Sequence, residues 1–176
     1  MNRLTEIILE FKEGNYNSFN EFYNQTSKLV YYMISCYEKR KENVEDLIQD
    51  TYMKFLNNIS KCDIKKNPVN YLATIAKNIA INHYNISKRE EIIEYEQVDI
   101  IAKNNLNESY IDLGIIDYLE GVEKEIVSLH IIGNLKFKDI SKIVNKPLGT
   151  VLWIYNKAIS YLKKKVDRNY EEKRNN

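Results

Sequence analysis

The chain has 176 residues, enough for one domain or two small ones, and its 44% hydrophobic and 29% charged side chains suit a soluble globular protein with a core. Two prolines and five glycines leave too little turn punctuation for an all-β fold, so helices are expected throughout. Net charge is only +1 at pH 7, yet it is unevenly spread: residues 91–112 set Glu91, Glu94, Glu96, Asp99, Glu108 and Asp112 against Lys103 alone, between two mildly basic bodies, which permits nucleic-acid binding without requiring it.

The N-terminal stretch MNRLTEIILEFKEGN predicts a short amphipathic helix over Leu4–Phe11 that ends at Gly14. Its apolar run is interrupted by Glu6 and Glu10, so it does not read as a signal peptide. Asn17 can cap a longer helix, in which Phe19, Phe22, Tyr23, Val30 and Met33 are spaced for a buried stripe. The charged run Glu38–Glu42 breaks it, and Asn43 is placed to cap a third helix reaching about Asn57. That helix carries two stripes. Val44, Leu47, Ile48, Thr51, Phe55 and Leu56 form a core face. Asp46, Gln49, Asp50 and Met53 recur on the adjoining face, either as a solvated surface with acids near the positive helix N-terminus or as a docking surface for a basic partner.

Asn67-Pro68 is a helix start, an N-cap followed by proline in the first turn, and the fourth helix is expected to run to Ser87. Leu72, Ile75, Ala76, Ile79 and His83 fit its core side, while Lys77, Asn78, Asn82, Asn85, Lys88 and Arg89 lie largely outside it. Tyr71 stands near its start, and Lys61, Lys65 and Lys66 crowd the preceding loop. Lysines that hold phosphates, an aromatic that stacks a base and amides that bond base edges are what single-strand binding needs, although basic loops are common.

Periodicity fades from Arg89 to Asp112, a linker. The second body begins near Leu113, with helices expected over Leu119–Ile132, Phe137–Val144 and Leu148–Val166, a turn at Gly133-Asn134, and a disordered tail at 169–176. In FKDISKIVNKPLGTVLWIYNKAISYL, Asn145 tolerates the left-handed turn that a helix C-terminus often needs, and Pro147 opens the next helix. Ile140, Ile143, Val144, Val151, Tyr155, Ala158 and Leu162 would pack the two helices together, a helix-turn-helix. The fold class is therefore all-α: two small helical domains, 1–90 and 113–168, joined by an acidic linker at 91–112, the C-terminal one containing the helix-turn-helix.

The remaining chemistry is sparse. His83 and His130 sit on apolar stripes without a partner motif and read as core or boundary histidines. There is no phosphate loop, zinc spacing or nucleophile–base pair, so neither catalysis, a metal nor a cofactor is expected. No apolar run approaches the about 20 residues that cross a bilayer. Cys36 and Cys62 are isolated, which suits a reduced, cytoplasmic protein.

Taken in order, these stretches resemble a bacterial RNA polymerase sigma factor of the extracytoplasmic-function type, over most of 15–89 and 113–166. VEDLIQDTYMKFL is similar to the segment that docks on the coiled coil of the β′ subunit, with Asp46, Gln49, Asp50 and Tyr52 on its usual acid, glutamine, acid and aromatic. NYLATIAKNIAINHYN resembles the next helix of the family: Tyr71, Leu72, Ile75, Ala76, Lys77 and Asn78 match, while Asn82 stands for the usual Asp and Asn85 for the usual Arg. LEGVEKEIVSLHIIGNLKFKDISKIVNKPLGTV is similar to the −35-binding domain through Leu119, Ile126, Leu129, Ile140, Ile143 and Gly149-Thr150-Val151, with Glu120 in place of the usual proline.

The resemblance implies an initiation factor that binds core RNA polymerase, its β′ and β subunits, through Asp46, Gln49, Asp50 and Met53. It implies −10 contacts from Lys61, Lys65, Lys66, Tyr71, Lys77, Asn78, Asn82, Lys88 and Arg89, and −35 contacts from Thr150, Trp153, Asn156, Lys157, Ser160 and Lys164. Promoter DNA is then the second partner and an anti-sigma factor a third, with no membrane insertion. The largest departure follows Gly149-Thr150-Val151, where the family favours Lys-Ser-Arg-x-x-x-Arg and this chain has Leu152, Trp153 and Ile154. At about 100° per residue Leu152 and Ile154 fall on the flanks and Trp153 almost opposite the core. Two other readings remain: a polymerase-binding accessory factor or antagonist without promoter recognition, and a dimeric helix-turn-helix regulator.

Overall fold

The computed structural model describes residues 2–91 and 114–174, with side chains to 88 in the first stretch and to 166 in the second. Its regular structure is α1 (Arg3–Lys12), α2 (Phe19–Ser35), α3 (Lys41–Asn57), a 3-10 turn at Ile59–Lys61, α4 (Pro68–Glu91), α5 (Gly121–Ile131), α6 (Phe137–Ile143) and α7 (Leu148–Arg174). The described residues contain helices and no strand. The expected acidic linker falls almost wholly outside the described residues, which resume at Gly114 with a 3-10 turn over 114–118.

The first domain is built around stacked aromatics. Phe22 of α2 stacks on Phe55 of α3 with centroids 5.2 Å apart and meets Phe11 of α1 edge-on at 5.5 Å. Tyr52 closes the cluster edge-on to Phe19 and Phe22, and its hydroxyl lies 2.7 Å from Thr26 Oγ1. Ring pairs in these geometries stabilise beyond their buried area. The buried polar ends of Tyr52 and Thr26 satisfy one another, so α3 is fixed in rotation as well as position.

Several boundaries differ from the sequence expectation for identifiable reasons. The residue before α2 is Ser18, without a side-chain cap bond. α3 starts at Lys41, two residues before Asn43, because Glu38 holds the entry turn: its Oε1 accepts from the Lys39 and Arg40 amides at 2.7 Å each. Asn43 is thus no cap; its Nδ2 donates to Glu38 Oε2 at 2.9 Å. Burial would raise the Glu38 pKa, but the Arg40 amide, Asn43, the Lys39 amide and His83 together hold it below the usual carboxylate value. Asn67 does cap α4, accepting from the Val69 amide at 3.0 Å. α4 runs past Ser87 to Glu91, and α7 past Val166 to Arg174, into the stretch expected to be a disordered tail.

In the second domain Asn145 adopts φ 53°, the left-handed turn that ends α6 before α7 begins at Leu148. At the α5–α6 turn two neighbours divide the work. Asn134 takes the left-handed conformation at φ 50°, while Gly133 is needed for close approach: a Cβ there would lie 2.7 Å from the Leu129 carbonyl oxygen and 3.0 Å from Leu29 Cδ2 of α2. The two domains touch, α5 against α2 and α6 against α4.

Gly133→Ala is expected to lower stability by about 1–3 kcal/mol, the usual result of overpacking against backbone. Thermal unfolding should show it as a melting temperature several degrees lower with the folded helical signal unchanged.

Candidate polymerase-docking and DNA-binding surfaces

The α3 surface follows from its core face. Val44, Leu47, Ile48, Thr51 and Phe55 are buried and Leu56 half-buried, and Tyr52 is buried beside them. This leaves Asp46, Gln49, Asp50 and Met53 exposed together, Met53 at 59%. An exposed thioether flanked by acids and an amide is an unusual use of surface, because a large apolar side chain gains nothing in water. Asp50 and Met53 also line a shallow hollow with Lys54, Asn57, Asn58 and Ile79, between α3 and α4.

That hollow borders the basic loop. Asn58 Oδ1 accepts from Lys61 Nζ at 2.7 Å. The loop is pinned underneath by Ile59 and Cys62, both buried. Beyond Cys62, Asp63 organises the turn: its Oδ1 accepts from the Lys65 amide at 3.0 Å and its Oδ2 lies 3.4 Å from Lys66 Nζ. The Lys65 amide first, and then Lys66, hold the Asp63 carboxyl below its ordinary value. Lys61, Lys65 and Lys66 stay exposed on a turn with defined internal bonds.

α4 divides the other expected −10 residues. Asn78, Asn82 and Lys88 are exposed, Lys88 with its amine 4.8 Å from the Tyr84 ring centroid. The Arg89 side chain lies outside the described residues. Tyr71 is half-buried, tilted against Phe55 with centroids 5.8 Å apart, so much of its ring lines the core and is not a free stacking platform.

Lys77 is largely withdrawn from solvent. Its Nζ lies 2.6 Å from Glu125 Oε1 of α5, with side chains 14% and 2% exposed. The Glu125 Oε2 atom accepts from the hydroxyl of Tyr37, just beyond α2, at 3.2 Å, and burial followed by the Glu125 charge pushes the Tyr37 phenol up. Next to it Lys124 is buried over the Tyr32 ring at 5.3 Å and bonds Asp117 at 2.9 Å. In this arrangement Lys77 serves the domain seam and not a DNA surface.

The two histidines are boundary groups. His83 Nδ1 is 3.2 Å from Glu38 Oε2. His130 Nδ1 pairs with the Leu135 carbonyl at 2.9 Å while its ring stacks on Phe137.

On α7, Val151, Ile154, Ala158 and Leu162 are buried and Tyr155 half-buried, which turns Thr150, Trp153, Asn156, Lys157, Ser160 and Lys164 outward. Trp153 is 64% exposed. Lys157 Nζ is shared between Glu123 Oε1 at 2.9 Å and the Trp153 ring at 5.6 Å, so one cation of this face is partly neutralised from α5. Among the described residues no cluster of His, Cys, Asp or Glu could hold a metal ion, and no helix is long and apolar enough to cross a membrane.

Residues 22–90 match the family described as Sigma-70 region 2. Over 170 residues, 91% of this chain, the sequence is 22% identical to the ECF RNA polymerase sigma factor BldN of Streptomyces coelicolor; the chain spans 64% of that relative's length. The fold is similar to that of the sigma factor RpoE of Bartonella quintana, solved with the anti-sigma factor NepR: TM-score 0.65, 18% identity, 85% of this chain and 96% of that one. It is also similar to CnrH, solved with the cytosolic domain of CnrY: TM-score 0.61, 14% identity, 93% of this chain and 97% of that one. Residues 22–90 are thus a Sigma-70 region 2 domain.

The seam yields a test. Lys77→Ala strands a buried Glu125 carboxylate, and an uncompensated buried charge costs about 3–5 kcal/mol. Separation of the domains relieves that cost more cheaply than unfolding does. Small-angle scattering should therefore show a larger radius of gyration with helix content retained. The swapped pair Lys77→Glu/Glu125→Lys should restore compaction.

Proposed function

We propose that the chain binds core RNA polymerase and directs promoter-specific transcription initiation, without making or breaking bonds itself. The observation that carries this reading is the exposed stripe of Asp46, Gln49, Asp50 and Met53 on a helix locked in rotation by the Tyr52–Thr26 contact. Such a stripe suits a basic helical partner with an apolar spot at its centre: the acids steer association and the thioether packs once water is expelled. The partner is the coiled coil of β′, with the β subunit engaged beyond it.

The loop lysines Lys61, Lys65 and Lys66, with Asn78, Asn82, Lys88 and Arg89 of α4, are assigned to the −10 strand. Tyr71 contributes only the part of its ring that Phe55 leaves uncovered. Thr150, Trp153, Asn156, Lys157, Ser160 and Lys164 are assigned to −35 DNA. The chain works in the cytoplasm, where an anti-sigma protein holds it when it is not needed; the similar sigma factor RpoE, solved with the anti-sigma factor NepR, supports that partner.

Run-off transcription with core polymerase tests the whole reading: a specific start that depends on this chain is expected. Asp46→Lys/Asp50→Lys should abolish co-purification with core polymerase and leave thermal stability unchanged, because both side chains are exposed. Retention of wild-type binding would remove the assignment of this face.

For α7 the expected readout is apolar. An indole can contact a thymine methyl but cannot make the paired hydrogen bonds by which arginine reads guanine. The −35 element should be T-rich. With Lys157 already engaged by Glu123, affinity for duplex DNA should also fall less steeply with salt than for a basic recognition helix. Trp153→Arg should shift base preference at −35 in a promoter-library selection; unchanged preference would place Trp153 at a protein contact instead.

A further inference from the structure

α1 ends beside the basic loop, and its last residue reaches into it. Lys12 Nζ donates to the Cys62 carbonyl at 2.6 Å and lies 3.4 Å from the Ser60 carbonyl. These carbonyls flank the exit of the 3-10 turn at Ile59–Lys61, where backbone acceptors have no partner within the turn. One ammonium with three donors satisfies two of them at once.

The base of this clamp is rigid. Ile7, Ile8 and Phe11 of α1 are all within 1% of full burial, and Arg3 ties the other end of α1 to Glu21 at 2.7 Å and to Glu10 at 3.3 Å. The loop is anchored from inside by Ile59 and Cys62, with Asp63 shaping the turn beyond them. The three exposed lysines therefore stand on backbone whose path is set at two carbonyls by a residue from another helix.

We propose that Lys12 is a positioning residue for strand capture: it fixes the 59–66 backbone so that Lys61, Lys65 and Lys66 meet successive phosphates of the −10 strand without first paying to order the loop. The inference rests on the reading of this loop as the −10 contact. It differs from a direct contact, in which Lys12 would itself neutralise a phosphate. It also differs from a structural role, because an exposed lysine paired at the surface adds little to global stability.

The test uses holoenzyme assembled from core polymerase and the full chain, on a promoter located by transcript mapping, with permanganate reactivity of −10 thymines as the measure of opening. Lys12→Met should slow opening about ten-fold, the loss of one charge-assisted hydrogen bond, and Lys12→Arg should recover most of it. Core binding and melting temperature should stay at wild-type values for both. The salt dependence of promoter binding should keep its slope in Lys12→Met, whereas loss of a phosphate contact would reduce the slope by about one. Lys12→Met added to Lys65→Ala/Lys66→Ala should have little further effect, since the groups it positions are gone. Normal opening in Lys12→Met while Lys65→Ala/Lys66→Ala is impaired would overturn the role of Lys12 and leave the loop assignment intact. A reduced salt slope would overturn it in favour of direct contact. Normal opening in Lys65→Ala/Lys66→Ala would overturn the loop assignment, and this inference with it.

Discussion

The seam between the two halves is organised by one buried carboxylate. Glu125 is 2% exposed, and each of its oxygens is engaged by a different segment of the first domain, Oε1 by Lys77 of α4 and Oε2 by Tyr37, two residues beyond the end of α2. A buried ion pair adds little net stability over a well-packed apolar one, but an unpaired charge there is costly. Sliding α5 along α2 by one turn would strand Glu125, and would also remove Lys124 from the Tyr32 ring. The close fit of Gly133 against Leu29 narrows the choice further. The pair thus selects one docked register. It also decides which face of α4 stays open: the side around Lys77 is covered, and the side carrying Asn78 and Asn82 is not.

Within the first domain the same logic runs from core to surface. Phe22, Tyr52 and Phe55 interlock α2 and α3, and the hydroxyl of Tyr52 finds Thr26. A helix held by both rings and a hydrogen bond cannot roll, so the adjoining stripe at Asp46, Gln49, Asp50 and Met53 is presented in a fixed direction. The hollow beside Met53 leads through Asn58 to Lys61. The surface assigned to the polymerase and the loop assigned to the DNA strand are therefore continuous, and both depend on the same aromatic core.

How much of this was legible in the sequence depended on whether one helix sufficed to decide it. Helical spacing separated the buried face of α3 from its exposed stripe, and it turned Trp153, Asn156 and Lys157 outward on α7, because each partition needs only a period and a core. The left-handed turn at Asn145 was readable from the residue type alone. Lys77 was not, since its position on the polar side of α4 gives no sign that a second domain covers it. Glu125 was missed for the same reason: Glu-Lys-Glu at 123–125 reads as a solvated helix start, and its partners lie far away in sequence. Tyr71 was ambiguous, as an aromatic at a helix start can stack a base or line a core, and Phe55 claims much of its ring. By residue type and place Lys12 is a cation in the last turn of a helix and nothing more. Only the return of the chain past that turn at Ser60 and Cys62 makes it a clamp.

The Glu125 carboxylate reaches one more group. Cys36, half-buried at the end of α2 with its thiol donating to the Tyr32 carbonyl at 3.2 Å, is pushed up to about 12 by burial first and by Glu125 second. Because the thiolate is the reactive form, this shift leaves the sulfur a poor nucleophile at neutral pH. The resistance of this sulfur to peroxide or to an alkylating reagent is thus supplied in part by the opposite domain. Drawing α5 away from α2 would remove the Glu125 charge, and with it one of the causes that raise the thiol. The oxidation chemistry of the first domain is in this way coupled to the placement of the second.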